Sequence, residues 1–159
     1  MKKILALASV LLMLFMSVFT SCRKESEDDE GGCGATNISA AGERESHNMG
    51  RNCMNCHVNG GNGEGCFTAA GTVYTTGNLS QTKANTVVKL YTAPNGGGTL
   101  KATINGDALG NFYTTNGIDF SDGLYPALTS GTSTIYMSQP ITQGACNGCH
   151  GASASALNL

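Results

Sequence analysis

The stretch Thr86–Thr115, TVVKLYTAPNGGGTLKATINGDALGNFYTT, decides the fold class of this chain. It contains three short runs of β-branched, aliphatic and aromatic residues, separated by clusters of Pro, Asn, Gly and Asp. In the middle run Leu100, Ala102 and Ile104 alternate with polar residues, as in a strand that is buried on one face. The pattern predicts short β-strands joined by turns.

Further runs of the same kind occur on both sides of this stretch. The predicted strands lie at Phe67–Thr76, Thr86–Thr92, Thr99–Ile104, Asn111–Thr115 and Thr134–Ser138. No long amphipathic helix is predicted, and helical character is weak even around Ser39–Ser46. Short strands at this spacing predict a mainly β chain with a β-sandwich over residues 67–140, for which about seven strands are expected.

The corner between the third and fourth predicted strands carries a family resemblance. Thr103 and Asp107, with Gly110-Asn111-Phe112, resemble the T-x-D-x-x-G-x-F corner of carboxypeptidase-regulatory-like domains, although Asp107 lies two residues further from Thr103 than in that pattern. The resemblance covers roughly residues 67–138 and implies an Ig-like or transthyretin-like sandwich. In that family the domain usually serves as a scaffold and not as a catalyst.

The first 21 residues are typical of a secretory signal peptide. A basic start, Met1-Lys2-Lys3, is followed by an apolar run at Ile4–Phe19 and by small residues before Cys22. The run is too short for a comfortable membrane span. The Ser21-Cys22 junction is similar to a bacterial lipobox, which implies that Cys22 is lipidated. The alternative is plain secretion, with Cys22 as an ordinary thiol.

Residues 22–45 are predicted to form a lipid anchor and an acidic tether. The run RKESEDDE at Arg23–Glu30 cannot bury apolar area and is expected to be solvated. An acidic run after a lipidated Cys resembles the export signal of some lipoproteins at the cell surface, whereas the alternative is a simple spacer. The expected location is the outer membrane, exposed at the cell surface, with the periplasmic face or secretion as alternatives.

Charge composition argues against one class of partner. The formal net charge is −2 and charged residues make up 13% of the chain, against roughly 25% in average soluble proteins. There is no basic surface of the kind that binds nucleic acid.

The strongest chemical signal is a CxxCH motif that occurs twice, as CMNCH at 53–57 and CNGCH at 146–150. Two thiols at this spacing can reach the two vinyl groups of a haem, and the adjoining His can then bind the iron. We therefore predict two covalently bound c-type haems, in two irregular or short-helical segments, 46–66 and 141–159, that flank the sandwich. The attachment residues are Cys53, Cys56, Cys146 and Cys149, and the proximal iron ligands are His57 and His150.

Two other uses of these cysteines stay open. The two CxxC pairs could form a four-thiolate zinc site, since such pairs are common zinc ligands. Export argues against this reading because oxidation competes with metal binding by the thiolates. A redox-active CxxC pair is the other option, but the βαβ context of such sites is missing from the sequence.

The sixth ligands of the irons are assigned by a second resemblance. The string SHNMGRNCMNCH at 46–57, followed by FTAAGTVY, resembles small exported haem proteins that combine two CxxCH motifs with a β-sandwich. That resemblance implies His47 as a distal ligand, expected to serve the haem of His150 because reaching its own neighbouring haem needs a tight turn. Met49 and Met137 are weaker distal candidates. An open iron would favour a haem-based sensor.

Cys33 and Cys66 flank the first motif and remain after the other cysteines are assigned. We predict a disulfide between them, which would close a loop around that motif; the alternative is that both stay reduced.

These features together predict an electron carrier and not an enzyme. Its expected partners are other redox proteins of the cell envelope or an extracellular electron acceptor. The rival hypothesis is a surface-anchored adhesion or binding module whose cysteines form disulfides or bind zinc. Whether the two motifs come together depends on the number of strands between them, which the sequence leaves undecided.

Overall fold

The structure of the chain is a computed structural model, which describes residues 33–76, 78–151 and 153–159. The predicted signal peptide, Cys22 and the acidic run at Arg23–Glu30 lie outside these residues. Among the described residues, no helix is both long enough and apolar enough to cross a membrane.

The described residues form short strands and two single helical turns, so the prediction of a mainly β chain is confirmed. The strands are β1 (Ala69–Thr72), β2 (Tyr74–Thr75), β3 (Asn78–Thr82), β4 (Val87–Tyr91), β5 (Leu100–Asn105), β6 (Asn111–Thr114), β7 (Tyr125–Ser130), β8 (Ser133–Tyr136) and β9 (Gly144–Ala145). The helical turns are a 3-10 turn at Cys53–Asn55 and a one-turn helix, α1, at Cys146–Cys149.

The strands belong to three sheets. A four-stranded antiparallel sheet has the order β5-β4-β7-β8, and in it Leu90 of β4 lies opposite Ala102 on one side and Pro126 on the other. A three-stranded sheet has the order β6-β1-β9, in which β1 runs antiparallel to β6 and parallel to β9. Strands β2 and β3 form a separate hairpin.

The two larger sheets contribute to one apolar core. Buried side chains of the three-stranded sheet pack with those of the four-stranded sheet, and the members are Ala69, Phe112, Val88, Leu90, Ile104 and Leu128. Val73, which joins β1 to β2, and Leu124, which precedes β7, complete the buried cluster. Burial of this apolar area is the main favourable contribution to folding of such a domain.

The Asp107 corner is a structural feature of the β5–β6 connection. The Asp107 side chain is fully buried, and its Oδ1 accepts hydrogen bonds from the backbone N–H groups of Leu109 (2.8 Å) and Asn111 (2.9 Å). Gly110 has a φ of 86°, a left-handed value that favours glycine. These bonds satisfy the backbone of a tight connection and so fix the start of β6.

The predicted strands agree with the structure in part. The run at Phe67–Thr76 contains β1 and β2, and the other four predicted runs match β4, β5, β6 and β8. Strands β3, β7 and β9 were not predicted. Strand β7 was hidden by Pro126, since a proline normally argues against an inner strand. The backbone O of Pro126 accepts a hydrogen bond from the N–H of Met137, which lies just beyond the end of β8. The missing N–H of Pro126 therefore faces a position where the pairing with β8 has already ended.

The segment at Ser39–Ser46 is not helical, so the expectation of weak helical character there was wrong. Ser39 is buried, its Oγ accepts a hydrogen bond from the backbone N–H of Tyr113 (2.8 Å), and Ile38 forms an antiparallel bridge with Thr114. The segment is thus held by hydrogen bonds to the distant strand β6 and not by bonds within a helical turn.

Both flanks of the predicted sandwich belong to the same folded unit. The docked residues Ile38 and Ser39 fall inside the predicted tether, so contact with the sheet begins before residue 45. At the other end, Leu157 and Leu159 pack against the apolar core and exchange backbone hydrogen bonds with Tyr74. The chain is therefore anchored to the sheets before the first CxxCH motif and again after the second one.

Candidate functional site

Strand β1 brings the two CxxCH motifs together beside the three-stranded sheet. The first motif leads into β1, and the backbone N–H of Phe67 donates to the carbonyl of His57 (3.1 Å). The second motif follows β9, whose residues Gly144 and Ala145 pair in parallel with Ala69 and Ala70 of β1. Cys53 packs against the buried cluster that contains Ala70 of β1, and Cys146 at the start of α1 lies beside Gly71, 3.0 Å from where a Cβ on that glycine would be. Both motifs therefore lie beside the same strand, which answers the question that the number of strands left open.

The two motifs share one local backbone geometry. In the first, the N–H of His57 donates to the carbonyl of Cys53 (3.0 Å), and in the second the N–H of His150 donates to that of Cys146 (2.8 Å). Each is a hydrogen bond between residues four apart, as in one α-helical turn. It places the histidine and the first cysteine of each motif on the same side of the turn. The side chain of Asn52 caps the first turn by accepting from the N–H of Met54 (3.2 Å).

The cysteines of the two motifs differ in exposure. Cys53 and Cys146 are half-buried free thiols, whereas the free thiol of Cys149 is exposed. Burial raises the pKa of Cys53. Burial, and next the charge of nearby Cys53, raise the pKa of Cys146 to about 12. Both half-buried thiols therefore stay protonated near neutral pH, and the influence of Cys53 on Cys146 indicates that the motifs are close together.

Cys33 and Cys66 form a disulfide, as the sequence analysis predicted, with a sequence separation of 33 residues. Cys56 is also bonded in a disulfide. A thioether to haem and a disulfide at Cys56 exclude each other, so this second bond has to be reduced before a haem can be attached at the first motif.

The imidazole of His57 is held on three sides. Its Nδ1 lies 2.8 Å from the backbone carbonyl oxygen of Glu64. One face stacks on the ring of Phe67, with 4.0 Å between ring centroids and 6° between the planes. Gly63 is so close to the ring that a Cβ on this residue would lie 2.7 Å from His57 Nδ1. The ring is therefore buried and restrained, and only the Nε2 side remains for a ligand.

The imidazole of His150 is anchored in a similar way. Its Nδ1 lies 2.6 Å from the backbone carbonyl oxygen of Ser155. A carbonyl oxygen can only accept, so in His57 and His150 alike Nδ1 must carry the proton. The neutral ring then presents the lone pair of Nε2, which is the state in which histidine binds a metal.

The distal candidates do not lie together. The ring of His47 lies beside that of His57, with centroids 6.1 Å apart and planes at 33°. Met49, two residues further on, is 46% exposed. Met137 follows the end of β8 in the four-stranded sheet, where it is half-buried. The contact of His47 favours a role at the first motif, whereas the sequence had led us to expect the haem of His150.

Substitution of Gly63 by alanine is expected to disturb His57 specifically. The added Cβ would meet three atoms of the imidazole at 2.7–2.9 Å, so the ring or the loop has to move. Overpacking of this kind costs about 1–3 kcal/mol of unfolding free energy, measured by denaturant titration. Gly117→Ala is the matched control, since its Cβ would meet nothing within 4 Å. Equal unfolding free energies for the two variants would contradict the proposed restraint.

Sequence reasoning missed the groups that restrain the two histidines. The acceptors are backbone carbonyls of Glu64 and Ser155, which have no signature in the amino-acid sequence. The Gly-rich loop VNGGNGEG at 58–65 is irregular, and its glycines were the available signal of close backbone packing.

Comparison with known proteins gives no independent assignment. No family model, curated protein or solved structure matches this chain. Within residues 33–76, 78–151 and 153–159, no group of three or more His, Cys, Asp or Glu side chains is arranged to hold a metal ion. A preformed four-thiolate zinc site is thus not found among the described residues.

Proposed function

We propose that this chain is a dihaem c-type cytochrome that transfers electrons in the bacterial cell envelope. The observation that carries the proposal is shared by both CxxCH motifs. In each, Nδ1 of the histidine donates to a backbone carbonyl, at 2.8 Å for His57 and 2.6 Å for His150. This arrangement fixes the ring and leaves Nε2 for iron, as is usual for histidines that bind metals.

The residues present fit the group that the motif implies. Thioether bonds to the two haems would come from Cys53, Cys56, Cys146 and Cys149, and the proximal ligands would be His57 and His150. When bound, haem supplies a one-electron couple between ferric and ferrous iron. The chain holds the imidazoles in a single tautomer and, at the first motif, shields one of them from water.

The position of the two motifs supports transfer between two centres. Asn52 caps the turn of the first motif, and Gly148 belongs to the second motif. A Cβ placed on Gly148 would lie 3.5 Å from Nδ2 of Asn52. Two haems attached at these neighbouring turns would lie beside each other along β1. An electron could then enter at one haem and leave at the other, which a chain with one isolated haem does not offer.

The β-sheets would act as the scaffold. Two sheets with one shared core, and the Asp107 corner between β5 and β6, support a β-sandwich of the Ig-like or transthyretin-like type. In this proposal the sheets hold the two CxxCH segments together and take no part in the redox step.

The cellular setting is part of the same proposal. The lipobox-like Cys22 and the acidic run after it support a lipoprotein of the outer membrane, exposed at the cell surface. Partners would be other envelope redox proteins or an extracellular electron acceptor. The low content of charged residues favours recognition by shape and polar contacts over strong electrostatic steering.

The proposal is tested by expressing the mature protein together with cytochrome c maturation enzymes. We expect a red protein, two haems per chain by pyridine haemochrome assay, and reversible reduction in a spectroelectrochemical titration. Absence of haem, under conditions in which a control cytochrome matures, would favour the rival reading of an adhesion or binding module. Haem that is bound but cannot be reversibly reduced would contradict the electron-transfer role.

A further inference from the structure

We propose that His47 and His57 are the two axial ligands of one and the same haem iron, so that the first haem is bis-histidine and the second is not. This inference rests on the proposed function and makes it more specific. It starts from the contact between the two rings, whose centroids are 6.1 Å apart.

The separation of the rings fits a shared metal. A histidine nitrogen binds a metal at roughly 2 Å, so two imidazoles on opposite sides of one ion have ring centres about 6 Å apart. Direct stacking would bring the rings closer, as it does for His57 and Phe67 at 4.0 Å. The separation of His47 and His57 therefore matches that of two ligands on one ion, and the two rings stand further apart than the stacked pair of His57 and Phe67.

His57 has a single free coordination edge, and the arrangement limits what can approach it. Its Nδ1 is used by Glu64, one face is covered by Phe67, and Gly63 closes in on the ring. The structure gives a contact between the ring of His57 and the ring of His47. A second neutral imidazole opposite Nε2 would complete the coordination of the iron.

The backbone that carries His47 is anchored although its side chain is exposed. The buried amide of Asn111 donates from Nδ2 to Ser46 Oγ (2.9 Å) and to the carbonyl of His47 (3.3 Å). The buried hydroxyl of Thr72 donates to Asn111 Oδ1 (2.6 Å) and accepts from the N–H of Gly50 (2.8 Å). Two buried polar residues of the three-stranded sheet thus fix the segment on both sides of the turn, and buried hydrogen bonds of this kind are costly to leave unmade.

A tight turn returns the chain from His47 to the first motif. Asn48 has a φ of 54° and Gly50 a φ of 81°, both left-handed, and the N–H of Arg51 donates to the carbonyl of Asn48 (3.0 Å). Asparagine and glycine are the residues that adopt this conformation most readily. The turn removes the steric objection that had led us to expect His47 at the haem of His150.

The inference makes the two haems unequal. The chain contains three histidines, and after His47 and His57 are used only His150 is left for the second iron. That iron must take a different sixth ligand, such as a methionine thioether, water or a group from another molecule. Since the axial ligands set the potential of a haem, the two irons would differ in potential and in access to small ligands.

The test uses haem-loaded variants that each keep one motif. A Cys146→Ala and Cys149→Ala double variant keeps the His57 haem, and it should show the low-spin ferric electron paramagnetic resonance and near-infrared bands of bis-histidine iron. A Cys53→Ala and Cys56→Ala double variant keeps the His150 haem, and it should lack those bands. The opposite distribution would overturn the inference and return His47 to the haem of His150.

A substitution at His47 tests the same inference in a chain that keeps both motifs. In His47→Ala we expect the bis-histidine bands to disappear and carbon monoxide binding to the reduced protein to rise by one per chain, while the haem count stays the same. Met49→Leu is the matched control, since it changes a neighbouring exposed side chain and removes a rival ligand; it should keep the bands. A chain with two haems and unchanged bands in His47→Ala would overturn this inference alone, whereas a chain without haem would overturn the proposed function.

Discussion

Replacement of Cys146 and Cys149 together by alanine is expected to halve the covalently bound haem and leave the rest of the chain folded. These cysteines form the ends of the one-turn helix α1, and Cys149 is exposed. The loss should be all or none at this motif, because each c-type haem is attached through the cysteines of one CxxCH. The measurement is the pyridine haemochrome assay on protein quantified by amino-acid analysis.

The double substitution of Cys53 and Cys56 is the matched control for this result. It should leave the same half of the haem, now at the second motif, so the two variants together should account for all haem in the parent chain. A four-thiolate zinc site predicts a different outcome, since removal of either pair would abolish all metal binding. Loss of every haem in both variants, with both chains still folded, would contradict independent attachment.

Removal of the Cys33–Cys66 disulfide is expected to have the largest effect on stability. A bond that closes a loop of this length, with a sequence separation of 33 residues, is worth roughly 3–4 kcal/mol in the chain-entropy model. The double Ser variant should show a lower denaturant midpoint and a steeper dependence on denaturant concentration, because the unfolded chain without the bond exposes more surface. A single free Cys at either position would add intermolecular pairing, so both cysteines have to be replaced.

The same disulfide should affect the first motif more than the second. Cys66 lies directly before Phe67, and the loop that ends there carries both Gly63 and Glu64 onto the ring of His57. We therefore expect the double Ser variant to perturb the spectrum of the His57 haem, with little change at His150. An unchanged midpoint and an unchanged spectrum would show that the loop keeps its place without the bond.

The strands of the sheets could largely be predicted from the sequence, because alternation and turn residues are local signals. Strand β4 and its neighbour β5 were found in this way. Strand β7 was not, since the position of Pro126 beside the end of β8 depends on how distant strands pair. Strand β9 has two residues and is recognisable only through its pairing with β1.

The candidate site shows the same division between local and distant information. Spacing identified the two CxxCH motifs, and elimination among the other cysteines left the pair around the first one. It could not show that the motifs meet, because that depends on the path of the strands between residues 57 and 146. The contact of His47 with His57 depends on a turn with two left-handed residues and on buried anchors in β1 and β6, which come from separate parts of the chain.

The central claim is tested most directly by intact mass spectrometry of the mature protein under denaturing conditions, after expression with the maturation enzymes. The proposed function predicts a chain that is heavier by two haems, which acid and organic solvent fail to extract because the bonds are covalent. A chain at the mass of the bare polypeptide, with its CxxCH cysteines recovered as thiols or disulfides, would contradict it.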